Sequence, residues 1–190
     1  MPNILSIDSD AAKDRLRQLV NEKAVLRGDF VLASGAHSNY YIDVKFISLT
    51  SEGLAYFARV LLDRIKNLNA DLIGGMTLGA DPIIGAVTAF SHIMDRPIDG
   101  IIVRKEAKDH GRGKQIEGPM REGAKVIIVE DVVTTGGSSI KAINAVEKAG
   151  GTVIKVITLV DRLAGGRENF ESRGYDFDPI FTIKDLDIPD

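Results

Sequence analysis

The chain of 190 residues contains no cysteine, no tryptophan and only three histidines. Disulfides and thiolate metal sites are therefore excluded, and His37, His92 and His110 do not have metal-ligand spacing. The absence of cysteine suits a reducing compartment. The sequence also lacks a signal-peptide pattern and any apolar run of about 18 residues, the length that crosses a bilayer. We therefore expect a soluble, cytoplasmic protein that does not enter a membrane.

An excess of charge of one sign is lacking too. The chain has 24 lysines and arginines against 27 aspartates and glutamates, which gives a net charge of -3 with both signs interspersed. A protein that binds nucleic acid usually presents a basic face or stripe, whereas the one dense basic cluster here, residues 104–114, is predicted to be a loop. Nucleic acid is therefore not an expected partner. The length fits a single domain, residues 1–190, with a full hydrophobic core.

Strand-like and helical patterns alternate along the chain. Apolar runs typical of strands occur at residues 72–74, 100–103, 126–129 and 153–160. Helical stretches, several of them amphipathic, occur at residues 10–25, 51–68, 80–93 and 138–149. This alternation predicts an α/β fold with a central parallel sheet flanked by helices, and a ligand site at the carboxyl ends of the strands. We expect an N-terminal segment, residues 30–46, and a C-terminal segment, residues 177–183, to form a small hood over that site.

The most informative motif is VIIVEDVVTTGGSS at residues 126–139, an apolar run that stops on Glu130 and Asp131 and turns into helical periodicity. Gly136 and Gly137 allow backbone N–H groups to approach a ligand closely, and the helix that follows presents unpaired donors to an anion. The loop also offers the hydroxyls of Thr134, Thr135, Ser138 and Ser139. Because carboxylates accept hydrogen bonds from sugar hydroxyls, a ribose 5-phosphate satisfies both halves of the motif. The alternative is that the acids only end a strand and the loop only caps a helix.

A second motif, RKEAKDHGRGK at residues 104–114, packs five lysines and arginines and one histidine into a single segment. Its two glycines each lower helix stability by roughly 1 kcal/mol relative to alanine, which favours a mobile loop. A diphosphate leaving group needs several cations that meet it as negative charge develops, and a loop that closes also excludes water. The alternative is a charged loop that is merely solvated.

These motifs resemble the 5-phosphoribosyl 1-diphosphate (PRPP) site and the catalytic loop of type I phosphoribosyltransferases, and the loop resembles that of the orotate phosphoribosyltransferase family in particular. Three more segments, residues 30–43, 79–82 and 160–169, resemble the same family. The resemblance implies the type I phosphoribosyltransferase fold and the conversion of orotate and PRPP to orotidine 5'-monophosphate and diphosphate. It also implies Mg²⁺ bound with PRPP, without direct side-chain ligands, and a homodimer whose loop 104–118 is donated in trans.

The resemblance further assigns site residues. The diphosphate is implied to bind Arg104, Lys105, Lys108 and His110. The ribose 5-phosphate is implied to bind Glu130, Asp131, Val132, Val133, Thr134, Thr135, Gly136, Gly137 and Ser138. Orotate is implied to contact Thr134, Arg162 and Tyr41, and a guanidinium suits its carboxylate because it binds carboxylates in a bidentate manner. Lys108 and Asp131 are the implied catalytic residues. Some family members carry lysines at the position of Ala33 and near Ala80 or Asp81, and these are absent here.

Two other functions stay open at this point. Purine phosphoribosyltransferases share the phosphate motif of residues 130–136 but not the basic loop. A regulator that senses PRPP without catalysis would keep the segment around Asp131, but it would need a surface for RNA or DNA.

Overall fold

The computed structural model describes residues 4–31, 35, 37–106 and 114–188. The N-terminal part contains α1 (Ser9–Leu19), a π-helical turn (Val20–Ala24), β1 (Val25–Val31), β2 (His37–Ile42), α2 (Lys45–Ser48) and α3 (Ser51–Ile65). Asp8 caps α1, since its carboxylate accepts the backbone N–H groups of Asp10 and Ala11. β1 and β2 pair antiparallel as a separate two-stranded sheet.

Among the described residues, the rest of the chain forms a six-stranded sheet and three α-helices, and a short 3-10 helix (Ile183–Asp185) follows the last strand. The elements are β3 (Leu72–Met76), α4 (Asp81–Ile93), β4 (Asp99–Val103), β5 (Ile116–Glu117), β6 (Lys125–Val133), α5 (Gly137–Lys148), β7 (Thr152–Asp161), α6 (Gly166–Glu171) and β8 (Phe177–Thr182). The spatial order is β5-β4-β3-β6-β7-β8, and only the short β5 runs antiparallel to its neighbour. Across the residues that the structure describes, no helix is both long and apolar enough to span a bilayer.

Helices cover both faces of the large sheet. One core packs α1, α3 and α4 against the first face, and the other packs α5 and α6 against the second. β6 contributes to both cores because neighbouring strand residues point to opposite faces: Ile127 and Val129 enter the first core, and Val126 and Ile128 enter the second. Burial on both sides explains why this run is apolar without alternation. The expected α/β fold, a central, mostly parallel sheet flanked by helices, is confirmed.

β6 extends further than its apolar run predicted. Pairing with β7 continues to Val133, which lies opposite Asp161. The expectation that the strand stops at Glu130 and Asp131 was therefore wrong, because main-chain pairing continues regardless of side-chain polarity. Both acids lie within the strand, so their side chains leave it in opposite directions.

The C-terminal boundary of the expected hood was also wrong. Phe177–Thr182 forms β8, which pairs with β7 at the edge of the large sheet, and the Phe177 ring lies 4.8 Å from that of Phe170 between centroids. The residues that follow β8 return to the N-terminal part of the chain. Asn21 and Arg27 donate to the carboxylate and the carbonyl of Asp187, at 3.0 and 2.9 Å.

Candidate active site

Four segments follow parallel strands of the large sheet. They are residues 77–80 after β3, 104–106 after β4, 134–136 after β6 and 162–165 after β7. The carboxyl ends of parallel strands lie at one edge of a sheet, so these segments share that edge. The motifs selected from the sequence are therefore brought together at one end of the fold.

The phosphate loop, defined here as residues 134–139, joins β6 to α5. Gly136 takes a left-handed conformation with φ of 79° at the start of α5, and a Cβ there would lie 2.6 Å from the Phe170 ring. No described side chain caps the first turn of α5, so its backbone donors are available to an anion. The loop lines an open cavity of about 350 Å³ together with Glu130, Val132, Val133 and Lys141. This arrangement suits a phosphate group.

Glu130 is buried on the α5 side of this cavity. It is 7% exposed, and its carboxylate accepts a hydrogen bond of 3.0 Å from the Ser139 hydroxyl. Burial, and then the neighbouring charge of Asp131, raise the pKa of Glu130 to about 7. A carboxyl with that pKa changes charge close to neutral pH.

Asp131 leaves the strand toward the segment that follows β3. Its Oδ1 accepts the backbone N–H of Val132 at 2.8 Å, and a Cβ on Gly79 would lie 3.0 Å from the same oxygen. Glycine at position 79 thus leaves room for the Asp131 carboxylate. The side chain is partly exposed, so a ligand at the carboxyl edge of the sheet can reach it.

Arg162 begins the segment after β7, next to the phosphate loop. Its backbone N–H donates to the Val133 carbonyl at 2.9 Å, and Asp161 Oδ1 accepts the N–H of Leu163 at 2.9 Å. Within the described ranges, the Arg162 guanidinium forms no ion pair or side-chain hydrogen bond. A partly buried cation without a partner is available to an anionic ligand.

The described part of the basic loop is its stem. The Arg104 backbone N–H donates to the Gln115 carbonyl, and the Gln115 side-chain amide donates to the Arg104 carbonyl. The Arg104 Nε donates to Glu117 Oε1 at 2.9 Å. This ion pair is exposed, with 44% and 41% of the two side chains accessible. Exposed pairs contribute little, typically about 0–1 kcal/mol, so Arg104 can exchange Glu117 for a phosphate. Lys105 is exposed, whereas Lys108 and His110 lie outside the described residues.

Comparison with known proteins decides the family. The family model for a phosphoribosyl transferase domain matches residues 44–176. The orotate phosphoribosyltransferase of Rhodopirellula baltica is 39% identical to this chain, over 96% of this chain and 99% of its own length. That of a Nostoc species is 46% identical, over 94% and 87%. This chain belongs to the orotate phosphoribosyltransferase family.

Solved structures agree with this membership. The orotate phosphoribosyltransferase of Mycobacterium tuberculosis in complex with PRPP aligns with a TM-score of 0.78 at 34% identity, covering 92% of this chain and 98% of that one. The adenine phosphoribosyltransferase of Leishmania donovani aligns with a TM-score of 0.69 at 15% identity, which shows the fold alone. Because the fold also occurs with another base, sequence similarity and not fold places the chain in the orotate phosphoribosyltransferase family.

The remaining residues assigned through the orotate phosphoribosyltransferase resemblance take different positions. Thr134 is exposed at the carboxyl end of β6, in the phosphate loop. Tyr41 lies in the β1–β2 hairpin, where it is 39% exposed and its ring centroid is 5.7 Å from that of Phe30. Its neighbour Tyr40 packs against the first core instead. The contact of Tyr41 with orotate stays a prediction.

The donor set suits the Mg²⁺ implied by this family. Asp131 and the loop hydroxyls supply oxygen atoms, which Mg²⁺ prefers, and this ion commonly uses few protein ligands together with water and substrate phosphates. Among the described residues no group of three or more histidine, aspartate or glutamate side chains could hold a metal ion. Asp131 is the residue that would face a Mg²⁺ ion carried by the substrate.

Replacing Glu130 with glutamine should stabilise the free protein above neutral pH. Glutamine can still accept from Ser139, but it removes a carboxyl whose pKa is raised to about 7 from 4.5. A raised acid pKa contributes stability below the unfolded-state value, and that stability is lost as pH rises through the folded-state value. From about pH 5 to about pH 8, the melting temperature of the wild type should therefore fall by several degrees relative to Glu130→Gln.

This prediction is checked by thermal unfolding of both proteins across that pH range. Glu147→Gln serves as the control, because Glu147 is an exposed glutamate on the same helix as Ser139. Parallel pH profiles for the wild type and Glu130→Gln would show that Glu130 is already ionised throughout.

Proposed function

We propose that this chain transfers the 5-phosphoribosyl group of PRPP to orotate, giving orotidine 5'-monophosphate and diphosphate in pyrimidine biosynthesis. The observation that carries the proposal is the adjacency of two complementary elements. The phosphate loop leads into α5, and Arg162 follows the neighbouring strand β7, where its backbone N–H donates to Val133, the residue just before the loop. Among the described residues the Arg162 guanidinium has no ion pair or side-chain hydrogen bond. One product-like ligand with a phosphate at one end and a carboxylate-bearing base at the other fits both elements.

The proposed chemistry needs no covalent intermediate. Orotate N1 attacks C1' of PRPP while the C1'–O bond to diphosphate breaks, and the proton lost from N1 passes to the departing diphosphate. Positive character develops on the ribose and negative charge on the leaving group as the bond breaks. The phosphate loop anchors the 5-phosphate, and Asp131 stabilises the positive ribose. Lys105 and, from the loop, Lys108 and His110 meet the diphosphate, while Arg104 is freed from Glu117. Mg²⁺ bound with PRPP would neutralise part of the diphosphate charge. Catalysis is thus positioning and electrostatic stabilisation.

An absorbance assay with orotate, PRPP and Mg²⁺ tests the proposal, run beside hypoxanthine, adenine and uracil. Turnover is expected with orotate only. Turnover with a purine in place of orotate would assign the chain to another base. Binding of PRPP without turnover of any base would instead favour a sensor.

Arg162→Ala should impair orotate binding selectively. Losing a charge-assisted bidentate contact costs roughly 1.5–3 kcal/mol, so the KM for orotate should rise roughly tenfold to a hundredfold. The KM for PRPP should change little, because Arg162 is not among the residues that line the phosphate-loop cavity. Steady-state kinetics with each substrate varied in turn measures the difference.

Arg162→Lys is the matched variant, since it keeps the charge but loses the guanidinium fork and should recover only part of the affinity. A collapse of PRPP binding in Arg162→Ala would place this residue in the phosphate site and contradict the proposed base pocket.

We propose the same assembly and location for this chain as the resemblance implies. Residues 1–190 form a single phosphoribosyltransferase domain, and two copies form a homodimer in which loop 104–118 of each chain completes the site of the other. The protein works in the cytoplasm on small-molecule substrates, without nucleic acid or membrane partners. The net charge of -3 supports the absence of nucleic-acid partners, and the absence of cysteine suits the reducing environment of the cytoplasm.

A further inference from the structure

The segment GGREN at residues 165–169 belongs to a stretch that resembles the orotate phosphoribosyltransferase family, but it has no role in the reaction described above. It forms the start of α6, which packs directly against the phosphate loop. A Cβ on Gly166 would lie 2.4 Å from the Val133 side chain and 3.0 Å from the Thr134 carbonyl oxygen. From the other side, Gly136 leaves room for the ring of Phe170. Two glycines thus bring α6 and the loop into contact at the level of the backbone.

Asn169 connects α6 to the loop through its side chain. Its Nδ2 donates a hydrogen bond of 2.7 Å to the carbonyl oxygen of Thr135. Its Oδ1 and its own carbonyl oxygen both accept from the guanidinium of Arg173, the latter at 2.8 Å. Because both ends of the Asn169 amide are engaged, Arg173 fixes the orientation in which the amide donates to Thr135.

The Thr135 carbonyl belongs to the peptide group that precedes Gly136. The C=O and N–H of one planar trans peptide point in opposite directions. Holding the carbonyl toward Asn169 therefore directs the Gly136 N–H away from α6. Gly136 also begins α5 and lines the cavity of the phosphate loop, and it has no Cβ to restrict its own rotation. The contact with Asn169 restrains this peptide group from outside the loop.

We propose that Asn169 is a positioning residue for the 5-phosphate site, which it maintains by holding the Thr135 carbonyl with the support of Arg173. The proposal rests on the proposed function, since it assigns a role within the same site. Asn169 does not contact the ligand. It sets the direction of backbone donors before the phosphate arrives, so that less ordering of the loop accompanies binding.

Asn169→Ala tests the proposal, with ribose 5-phosphate as the probe and isothermal titration as the measurement. We expect the affinity for ribose 5-phosphate to fall roughly fivefold to tenfold, the range for losing one neutral hydrogen bond, and the KM for PRPP to rise by a similar factor. The KM for orotate at saturating PRPP should stay within about twofold of the wild type. Melting temperature should change little, because the Asn169 side chain is at the surface of a short helix.

Ser172→Ala is the matched control. Ser172 is exposed on the same helix end, and its hydroxyl donates to the Asn169 carbonyl at 3.3 Å without reaching the loop. All constants for Ser172→Ala should match the wild type. Arg173→Lys keeps the positive charge but loses the planar guanidinium that contacts Asn169. It should therefore also lower the affinity for ribose 5-phosphate, by a smaller factor than Asn169→Ala.

Two results would overturn the inference. One is unchanged affinity of Asn169→Ala for ribose 5-phosphate. The other is an equal loss for both substrates together with a lowered melting temperature, which would indicate general support of the fold. Failure of the wild type to bind PRPP or to use orotate would count against the proposed function instead. The wild-type measurement therefore separates the two failures.

Discussion

Asp131→Asn is expected to lower turnover by roughly a hundredfold or more while leaving thermal stability close to that of the wild type. Asparagine has the same shape, and its amide oxygen can still accept the Val132 N–H that Asp131 accepts at 2.8 Å. In the proposed mechanism, the substitution removes the negative charge that stabilises the ribose as positive character develops. Removing one preorganised electrostatic contact to a transition state typically costs a factor of about 10²–10³.

The measurement combines steady-state kinetics with thermal unfolding. Asp185→Asn is the control, because it should change stability and not turnover. Asp185 accepts the backbone N–H and the hydroxyl of Thr182 at 2.7 and 2.8 Å, and these bonds lower its pKa. Asp185→Asn should therefore lose some stability and keep its turnover. Near-normal turnover of Asp131→Asn with unchanged PRPP affinity would remove Asp131 from the catalytic assignment.

The central parallel sheet could be predicted, although its strand order could not, because the strands that form it show short-range patterns. The run at residues 126–129 is apolar without alternation since both faces of β6 are buried, and each site motif directly follows a strand. What composition could not give was the extent of β6 beyond its apolar part. Because β6 continues to Val133, the side chains of Glu130 and Asp131 point to opposite faces of the sheet. This difference could have been predicted only if the full length of the strand had been known.

Contacts between distant segments could not be predicted in the same way. Ser139 was one of four hydroxyls in the sequence motif, and only the packing of α5 on β6 makes it the partner of buried Glu130. Asn169 and Thr135 are 34 residues apart, and no local pattern links them. The C-terminal run at 177–183 was expected in a hood, and only its pairing with β7, a strand from an earlier part of the chain, shows that it forms an edge strand.

The Glu130 pKa also bears on the order of binding. In the free protein this carboxyl has a pKa of about 7 because burial and Asp131 disfavour its charge. Hydrogen bonds from ribose hydroxyls would favour the ionised form, so PRPP binding should release protons near neutral pH. The Glu130→Gln protein would be more stable than the wild type above neutral pH, but it would not release this proton on binding PRPP. Ligand sites often show such a trade-off between stability and function.

Mixing two inactive variants should restore activity if the basic loop acts in trans. Lys108, which lies outside the described residues, would then serve the partner's site, whereas Asp131 serves the site of its own chain. When Lys108→Ala and Asp131→Asn dimers exchange subunits at random, about half of the dimers are mixed. Each mixed dimer has one site with both lesions and one with neither, so roughly a quarter of wild-type activity should return.

A second mixture gives the matched negative control. Arg162 and Asp131 belong to the site of one chain, since the Arg162 N–H donates to Val133 two residues beyond Asp131. Each site of a mixed dimer of Arg162→Ala and Asp131→Asn therefore carries one lesion, so at low orotate this mixture should show no more activity than the average of its two parent proteins. Subunit exchange is verified with mass-tagged chains in both mixtures. Recovery in the first mixture alone would show that Lys108 of one chain serves the site of the other, as expected for a cationic loop that closes over diphosphate at a subunit boundary. Confirmed exchange without recovery in either mixture would place Lys108 and Asp131 in the same chain's site, and the trans arrangement would be abandoned.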